Sequence, residues 1–297
     1  MTGTATGPLI GVTGAPGNVG TPLVGELLAR GARVRVLARR PDHARAALGD
    51  APGLEFTHLE FGNRPTYVAA FQGVERLFVV RPPQVGNTAR DMVPALDVAL
   101  GAGVRQMALL SVQGAERNPL LPHAQLEKYL RGSGADFTLL RPSYFMQNLT
   151  TMHLPELRRG EVYVPAGRGR TSFIDVRDIA EVAAKVLTEP GHAGQAYELT
   201  SSEALTYAEV AQKFSVATGR NVRYSDPSPL AFFRRLRARG VPAGQLLVME
   251  VLYAAARFGL AARVTPETAR LLGRPPRSFD DFARDSASLL TEETPHA

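Results

Sequence analysis

The feature that most constrains the fold of this chain is a glycine loop near its amino terminus. Gly14, Gly17 and Gly20 recur at intervals of three residues, and the first of them directly follows the apolar run LIGVT. A helical pattern of apolar side chains then extends from Asn18 to about Arg30. A glycine-rich turn between a buried strand and a helix is typical of a βαβ unit that binds a dinucleotide. The alternative is a turn that serves only the packing of strand against helix.

The rest of the first half repeats this alternation of strand and helix. The predicted strands are ARVRVLAR, LEFTHLEF, ERLFVV, RQMALLSV and DFTLLRP. The predicted helices between them are PDHARAAL, TYVAAFQG, ARDMVPALDVALGAG and HAQLEKYLRGSG. Such a succession places parallel strands in one sheet with helices on both faces. We therefore predict an α/β fold with a Rossmann-type, doubly wound parallel sheet.

The pattern changes after Pro142. TSFIDVRDIAEVAAKVLTEPG predicts a short strand and a helix, and QAYELT predicts one more strand. We expect residues 1–150 to form the nucleotide-binding core, which about 171–200 would complete. The remainder of 151–297 is then a smaller, mostly helical region that binds and covers the substrate.

Three segments of that C-terminal region carry helix signals of their own. Thr206 followed by Glu209 predicts a capping box at the start of LTYAEVAQKFSVATG. Ser278 is placed to cap a last helix, SFDDFARDSASLL. The apolar stretch QLLVMEVLYAAARFGLAARV is interrupted by charged residues, which predicts a buried or half-buried helix.

Composition narrows the class of protein. Hydrophobic residues make up 44% of the 297 and charged residues 21%, which is ordinary for a globular chain. No apolar run approaches the roughly 20 residues of a membrane span, so we expect no membrane partner. The stretch MTGTATGPLIG lacks the features of a signal peptide, which predicts a cytoplasmic location. The chain has no cysteine, which excludes disulfides, a thiol nucleophile and a thiolate metal site, and we expect no metal.

The formal net charge of +6 raises the question of nucleic acid. Most of the basic residues are arginines spread along the chain, with one local cluster in FFRRLRARG. A nucleic-acid-binding protein more often concentrates basic charge with aromatic residues on one element. We therefore expect no nucleic-acid partner, and local arginines fit an anionic small molecule better. No feature requires a dimer, so we expect a monomer or a weak homo-oligomer.

The residues after the second predicted strand select the dinucleotide. The strand ends in LARRP, with Arg39 and Arg40 and no acidic residue before Asp42. NAD sites place an acid here for the ribose 2′-hydroxyl, whereas arginine accommodates the 2′-phosphate of NADP. Guanidinium binds phosphate with two parallel hydrogen bonds, which favours NADP(H) as the cofactor. The alternative is a pair of solvated surface arginines.

Several motifs together resemble one family. VTGAPGNVG, VRVLARRP, LLSVQGAE, LEKYLRGSGADFTLLRPSYFMQN and SFIDVRDIAEVAAKVL are similar to the NmrA-like branch of the atypical short-chain dehydrogenases/reductases. YELTSSEALTYAEVA and GRPPRSFDDFARD extend the resemblance over most of the chain. That family includes NADPH-dependent reductases and members that only sense the cofactor. The resemblance implies a Rossmann sheet with NADP(H) across the carboxyl ends of its strands.

The resemblance also implies which residues would bind the cofactor. The pyrophosphate would be held by Thr13, Gly14, Pro16, Gly17, Asn18 and Val19. The 2′-phosphate would contact Arg39 and Arg40, and adenine would lie near Glu60 and Phe61. The nicotinamide side would be lined by Val80, Arg81, Ser111, Gln113, Pro142, Ser143 and Tyr144.

The usual proton donor of the parent superfamily is missing. Ordinary short-chain reductases use a Tyr-x-x-x-Lys pair on the helix after the fifth strand, and its tyrosine protonates the product. That helix here is PLLPHAQLEKYL. If His123 takes the lysine position, the tyrosine position is Pro119, and Tyr129 has no lysine four residues later.

Three residues are candidates for a substitute. Ser111 could hydrogen-bond a substrate carbonyl, and His123 could donate a proton because the unperturbed pKa of histidine lies near neutrality. The alternative for His123 is a hydrogen bond to backbone or to the cofactor ribose. Tyr144 could donate a proton or pack in the wall of the pocket. We expect Glu127 and Arg141 to form a structural ion pair.

Hydride transfer itself requires little more than alignment of the two reactants. A ketone that is protonated by its own neighbouring phenol, or by water, needs no tyrosine. Aromatic polyketides commonly carry such a phenol. We therefore hypothesise an NADPH-dependent ketoreductase of a small polycyclic aromatic, polyketide-type ketone or quinone. Alternatives are a non-catalytic NADP-sensing regulator that binds a partner, a quinone or azo-dye reductase, and an isomerase that uses bound cofactor.

Overall fold

The computed structural model describes residues 7–291. Within them the chain forms two compact units, of which the first comprises 7–142 and 176–199. The second comprises 143–175 and 200–291. Part of the amino-terminal stretch on which the localisation prediction depends lies outside the described residues. Among the helices of 7–291, none combines the length and the apolar character that crossing a bilayer requires.

The elements of both units are numbered in chain order. The strands are β1 (Leu9–Thr13), β2 (Arg33–Ala38), β3 (Leu54–His58), β4 (Arg76–Val80), β5 (Gln106–Leu110), β6 (Asp136–Pro142), β7 (Tyr144–Phe145), β8 (Glu161–Tyr163), β9 (Arg170–Ile174), β10 (Gln195–Leu199), β11 (Ala204–Thr206) and β12 (Arg223–Ser225). The helices are α1 (Gly20–Ala29), α2 (Pro41–Leu48), α3 (Tyr67–Phe71), α4 (Thr88–Asp91), α5 (Val93–Gly101), α6 (Pro122–Gly132), α7 (Gln147–Thr150), α8 (Leu154–Arg158), α9 (Val176–Thr188), α10 (Tyr207–Thr218), α11 (Pro229–Ala238), α12 (Ala243–Arg257), α13 (Glu267–Leu272), α14 (Phe279–Asp285) and α15 (Ala287–Thr291). Short 3₁₀ turns cover Arg64–Thr66 and Ala115–Arg117.

The first unit is built on a seven-stranded sheet in the order β3-β2-β1-β4-β5-β6-β10. All its strand pairs are parallel. The chain moves outward in one direction from β1 to β3 and then returns to the other side of β1 with β4. Reversal of the strand order at this point defines the doubly wound Rossmann arrangement. The predicted fold class is therefore confirmed.

The burial of this sheet explains why its strands are continuous apolar runs. All five residues of β1 are buried, as expected where helices cover both faces of a parallel sheet. On α1, Leu23 and Leu27 lie one turn apart and both are 0% exposed. This spacing gives the helix one apolar stripe toward the core. The helix ends where the sequence predicts, since Gly31 has a φ of 75°.

One predicted helix of the first unit is broken in two. ARDMVPALDVALGAG forms α4 and α5, which are separated at Met92. Pro94 explains the break because its ring would clash with the carbonyl four residues earlier in a continuous helix. The side chain of Asn87 caps α4 by accepting from the N–H of Arg90 at 3.0 Å. The expectation of one continuous helix is therefore wrong.

The second unit contains two small sheets and most of the remaining helices. β11 and β9 are antiparallel, β9 and β7 are parallel, and β12 and β8 form a separate parallel pair. The strand β9, which we expected among the segments that complete the core, lies in the three-stranded sheet. In contrast, α9 and β10 belong to the first unit, where β10 extends the large sheet. The boundary at residue 150 stays a prediction.

Both predicted helix caps of the second unit are present. The hydroxyl of Thr206 accepts from the N–H of Glu209 at 3.2 Å, and the carboxylate of Glu209 accepts from the N–H of Thr206 at 2.7 Å. Ser278 forms the same reciprocal pair with Asp281. The helix after Ser278 is shorter than expected, because SFDDFARDSASLL is divided into α14 and α15. The stretch that includes α12 is half-buried, with one face in the core and an opposite apolar face exposed.

Candidate cofactor and catalytic site

The three glycines of the first loop converge on one carbonyl group. Gly14 has a φ of 79°, a left-handed conformation that favours glycine. A Cβ added at Gly17 or at Gly20 would lie 2.5 Å from the carbonyl oxygen of Gly14. The interval of three residues therefore lets the loop close on itself and lets α1 start against it. The glycine turn that the sequence predicts is therefore present at Gly14. Glycine is needed at position 17 because any side chain there would clash with the carbonyl of Gly14.

The start of α1 is suited to bind an anion. The helix begins at Gly20 after Val19, without a side-chain cap and without an acidic residue in its first turn. The first N–H groups of a helix have no partner within it, and they form the positive end of the helix dipole. Gly14, Gly17 and Asn18 are exposed beside this end, and Pro16 is half-buried. The geometry fits the pyrophosphate of a dinucleotide.

Thr13, the last residue of β1, is hydrogen-bonded to the neighbouring strand just before the glycine loop. Its hydroxyl donates to the carbonyl of Phe78 at 3.0 Å and accepts from the N–H of Val80 at 2.8 Å. The side chain is 2% exposed, so this hydroxyl joins β1 to β4, and the role of Thr13 toward the pyrophosphate stays a prediction. Val80 in turn lies directly under the loop, since a Cβ on Gly14 would meet the Val80 Cβ at 2.9 Å. Both residues therefore support the loop.

Arg39 and Arg40 lie at the end of β2, beside the loop. Both side chains are exposed, and neither forms an ion pair with another residue of 7–291. Arg35, on the same strand, is already engaged by Glu55 at 2.7 Å. Two uncompensated guanidiniums at this position fit the 2′-phosphate of NADP. The glycine loop, the uncapped helix and these arginines together form a set of groups that fits NADP(H).

The adenine-side candidates follow the neighbouring strand, β3. The carboxylate of Glu60 accepts from the side-chain amide of Asn63 at 3.1 Å, and its N–H donates to the hydroxyl of Thr66 at 3.2 Å. Phe61 is half-buried against the core of the first unit. These contacts order the turn after β3, and the role of both residues toward adenine stays a prediction.

A buried carboxylate holds the serine after β5. The Ser111 hydroxyl donates to Glu127 Oε1 at 2.6 Å. Arg141 binds the same carboxylate through Nε at 2.9 Å and Nη2 at 2.5 Å, and contacts Glu116 at 3.2 Å. The expected pair of Glu127 and Arg141 is thereby confirmed. Burial alone would raise the pKa of Glu127, but the hydrogen bonds from Arg141 and Ser111 outweigh it and lower this pKa. Ser111 therefore gives its only proton to a carboxylate.

His123, near the start of α6, is a neutral imidazole near pH 7. Burial, and then the positive charge of Arg81, lower its pKa to about 4. Its Nε2 accepts a long hydrogen bond of 3.5 Å from Nε of Arg81, which leaves the ring proton on Nδ1. The unperturbed pKa on which its expected role depends therefore does not apply, and imidazolium is a minor species near neutrality.

Tyr144 belongs to a buried network within the second unit. Its hydroxyl lies 2.9 Å from the hydroxyl of Tyr253, which lies 2.6 Å from Nε2 of His153. Its ring packs edge-on against Phe173, with 5.6 Å between centroids. Burial raises the pKa of Tyr144 to about 12, which makes it a weaker acid than a free tyrosine. Ser143, the residue before it, has a buried hydroxyl without a hydrogen-bond partner among residues 7–291, and its contact with the cofactor stays a prediction.

Of the two other candidates, Gln113 lies in the loop after β5 and Pro142 is the last residue of β6. The N–H of Gln113 donates to the carbonyl of Pro142 at 3.0 Å, which ties the loop after β5 to the last residue of β6. The side chain of Gln113 donates to Glu198 at 3.3 Å. Together, Ser111, Gln113 and Pro142 therefore lie at the carboxyl edge of the large sheet, as expected. Their contacts with a cofactor stay predictions.

Sequence reasoning missed the partners that decide these properties. Glu116, His153 and Tyr253 were not among the predicted cofactor or catalytic residues, although Glu116 contacts Arg141, Tyr253 contacts Tyr144 and His153 contacts Tyr253. One available signal was the spacing of His123 and Glu127, which lie one turn apart on α6. Side chains at this spacing share a helix face, so they address neighbouring strand ends. No comparable signal links Tyr144 with Tyr253.

Comparison with known proteins gives a consistent family. Residues 7–283 match the NmrA-like family. The chain is 33% identical to the NAD(P)H azoreductase of Xenophilus azovorans over 286 residues, which covers 95% of this chain and 99% of that protein. Among solved structures, it is similar to an NADPH complex of a quinone oxidoreductase from Escherichia coli, with 27% identity, a TM-score of 0.80 and coverage of 95% and 100%. The triphenylmethane reductase of Citrobacter sp. with NADP(H) gives 25% identity, a TM-score of 0.81 and coverage of 94% and 99%.

Proposed function

This chain belongs to the NmrA-like family and is an NADPH-dependent oxidoreductase, and we propose that its substrate is a polycyclic aromatic ketone or quinone of polyketide type. When bound, NADPH supplies the hydride. The chain's own contribution is to hold the pyrophosphate at the glycine loop and α1, and the 2′-phosphate at Arg39 and Arg40. A side-chain proton donor is not part of this proposal.

One observation carries the proposal: all three candidate donors are weak or already engaged. Ser111 donates its proton to Glu127 at 2.6 Å. His123 has a pKa of about 4 and is neutral near pH 7. Tyr144 has a pKa of about 12, above the value near 10 of an ordinary phenol. A substrate that carries its own phenol beside the carbonyl therefore brings a stronger acid than the chain offers, and water is the other source.

The bonds change as follows in the proposed reaction. The carbonyl carbon accepts the hydride with its electron pair, and the π electrons of the C=O bond move to oxygen. The neighbouring phenol transfers its proton to that oxygen, and the resulting phenolate recovers a proton from water. Ser111 has only lone pairs to offer, and these accept a hydrogen bond from a hydroxyl of substrate or cofactor.

The finer version of the proposal concerns the ring system. We propose an angucyclinone as the ketone, as in 7-ketoreductases of the simocyclinone type, with a role in antibiotic biosynthesis. Overall sequence resemblance supports this choice, and no single motif encodes it.

A second candidate is reduction of a simpler quinone or of a dye. The similarity of the chain to an azoreductase and to a quinone oxidoreductase favours it. A quinone also fits the absence of a strong acid, because a hydroquinone anion is stable enough to take its proton from water. The cofactor-sensing alternative does not fit, since the chain is an oxidoreductase.

Deuterium transfer tests the proposal. Purified protein is incubated with NADPH that is deuterated at C4 of the nicotinamide. The substrates are pairs of polycyclic ketones, one with a phenol beside the carbonyl and the other with the methyl ether of that phenol. We expect deuterium at the former carbonyl carbon and a rate about 100-fold lower for the ether, since general acid catalysis contributes about 10²–10⁴-fold. Equal rates would reject protonation by the neighbouring phenol and leave water or a side chain as the donor, which Tyr144→Phe then distinguishes. Turnover of quinones alone would select the second candidate.

Tyr144→Phe provides the matched control for the chain. This variant keeps the ring that packs on Phe173 and removes only the hydroxyl. We expect the phenol-bearing ketone to react within about threefold of the wild-type rate, a difference below 1 kcal/mol in the barrier. A loss of about 100-fold with both members of the pair would assign the proton to Tyr144 and reject substrate-assisted protonation.

A further inference from the structure

The guanidinium of Arg81 is a half-buried cation without a carboxylate partner. Arg81 directly follows β4 at the carboxyl edge of the large sheet. Within residues 7–291, no carboxylate oxygen lies within the 4.0 Å of an ion pair with it. Burial lowers its pKa, which reflects the cost of keeping this charge partly away from water. A charge held at such a cost, at the edge where Rossmann folds bind ligands, needs a function.

The donors of Arg81 are only partly used. Nη1 donates to the carbonyls of Val85 at 2.7 Å and Pro82 at 3.2 Å, both in the loop that follows β4. Nε donates to Nε2 of His123 at 3.5 Å. The two N–H groups of Nη2 have no partner among the described residues. The side chain is therefore held on one side and has two donors left on the other.

The strand register places Arg81 in a row with Ser111 and Arg141. Val80 pairs with Leu110, and Leu110 pairs with Leu140. The next residues along these three strands are Arg81, Ser111 and Arg141, which therefore occupy equivalent positions at neighbouring strands. Two residues one turn apart on α6 contact all three members of this row. His123 accepts a hydrogen bond from Arg81, and Glu127 accepts hydrogen bonds from Ser111 and Arg141.

The two cations of this row differ in their electrostatics. Glu127 neutralises Arg141, whereas His123 is a neutral partner that leaves the charge of Arg81 intact. A fixed cation in a site from which water is largely excluded stabilises an oxyanion more strongly than water does. Arginine keeps its proton through such a reaction, because its pKa lies far above neutrality.

We propose that Nη2 of Arg81 binds the substrate oxygen that becomes negatively charged on hydride addition, and that His123 is a positioning residue for Arg81. The inference rests on the proposed function. The π electrons of the C=O bond move to this oxygen as the carbon accepts the hydride, and Arg81 stabilises the resulting anion. The proton still comes from the neighbouring phenol, or from water. The chain thus supplies electrostatic stabilisation in place of an acid.

Kinetics of Arg81→Met provide the first test. This variant keeps the length of the side chain and removes the charge. We expect kcat to fall about 100-fold, as for removal of an oxyanion donor, while the Kd of NADPH stays within about twofold. Guanidinium ion should restore part of the rate of Arg81→Ala. Arg33→Met is the matched control. Arg33 is exposed at the amino-terminal end of β2, away from the carboxyl edge of the sheet where Arg81 lies, so this variant should leave kcat unchanged.

Equilibrium binding provides a readout that does not depend on turnover. A hydroxynaphthoquinone that changes colour on ionisation is titrated into the NADP⁺ complex of each variant. The wild type should bind the anion and lower the pKa of the bound ligand. In Arg81→Met the affinity for the anion should fall about tenfold or more, about 1.4 kcal/mol, with the neutral methyl ether bound as before.

The positioning role of His123 has a kinetic test of its own. His123→Ala should lower kcat about tenfold, and His123→Asn, whose amide oxygen still accepts from Nε of Arg81, should restore it.

The outcomes separate this inference from the proposed function. Unchanged kcat and unchanged anion affinity in Arg81→Met would overturn the role of Arg81. A loss of NADPH affinity that equals the loss of kcat/KM would also overturn it and assign Arg81 to the cofactor. A wild type that reduces no ketone or quinone would defeat the proposed function, and anion binding would then still test Arg81.

Discussion

The hydroxyl of Ser111 donates a 2.6 Å hydrogen bond to Glu127, which makes this serine a hydrogen-bond acceptor toward any ligand. The carboxylate is 4% exposed and is also bound by Arg141. A hydroxyl has one proton, so Ser111 cannot donate to a substrate carbonyl while Glu127 is ionised. A serine that would usually donate a hydrogen bond to a substrate carbonyl is therefore an acceptor in this chain.

Glu127→Gln should destabilise the first unit. It removes the charge that compensates Arg141, which is 8% exposed, and we expect the free energy of unfolding to fall by about 3 kcal/mol. Urea unfolding measures the change. The matched control is Glu55→Gln, which breaks the half-exposed pair with Arg35 and should cost less than about 1 kcal/mol. Equal effects of both substitutions would mean that Glu127 contributes no more than a surface charge.

Gly20→Ala should disturb the glycine loop. The added Cβ would meet backbone atoms of Gly14 at 2.5 and 2.7 Å and the N of Ala15 at 2.8 Å, so the loop must shift. We expect NADPH affinity to fall about tenfold, and the free energy of unfolding to fall by about 1–3 kcal/mol. The affinity is measured by fluorescence of the bound cofactor.

Gly25→Ala is the control within the same helix. Gly25 is exposed on α1, and a Cβ there would meet nothing within 4 Å. Alanine is the better helix former, so we expect a gain of about 0.5–1 kcal/mol and unchanged NADPH affinity. If both variants bound NADPH like the wild type, the loop would not be the pyrophosphate site.

Arg39→Ser and Arg40→Ser should change the choice of cofactor. Both guanidiniums are exposed without an ion pair in the described part of the chain. Each charged hydrogen bond to a phosphate contributes about 1.5–3 kcal/mol, so we expect NADPH affinity to fall about 10- to 100-fold. NADH affinity should stay within about twofold. A parallel loss for both cofactors would place the arginines away from the 2′-phosphate, and Arg33→Ser provides the control.

How much of this could be predicted from the sequence depends on how local each signal is. The parallel sheet, the glycine turn and the capping box at Thr206 arise from patterns within a few residues of each other. The break at Met92 also had a local cause, Pro94, which an otherwise continuous apolar pattern obscured.

The properties of the candidate acids are not local. His123 owes its lowered pKa in part to Arg81, 42 positions away, and Tyr144 meets Tyr253 across 109 positions. No pattern within one element records such pairs, and only the folded chain brings them together. The sequence therefore predicted which residues stand at the strand ends, but not which of them can release a proton.

The last prediction concerns the pH dependence of stability. His153 is 1% exposed, and burial, followed by the positive charge of Arg239, lowers its pKa from 6.5 to about 3. The unfolded chain takes up this proton below about pH 6.5, whereas the folded chain does not until about pH 3. The unfolded state therefore binds more protons across this interval. The free energy of unfolding should fall as the pH falls, by up to about 1.4 kcal/mol per pH unit from this residue.

Urea unfolding between pH 6.5 and 4.5 measures that slope. His153→Gln should flatten it, at the cost of a lower stability near pH 7, because Tyr253 loses the partner at 2.6 Å. His43→Gln is the control, since it removes an exposed histidine of α2 without touching the buried network. If His153→Gln kept the wild-type slope while His43→Gln reduced it, exposed histidines would account for the proton uptake. The prediction that His153 stays neutral in the folded chain would then be wrong.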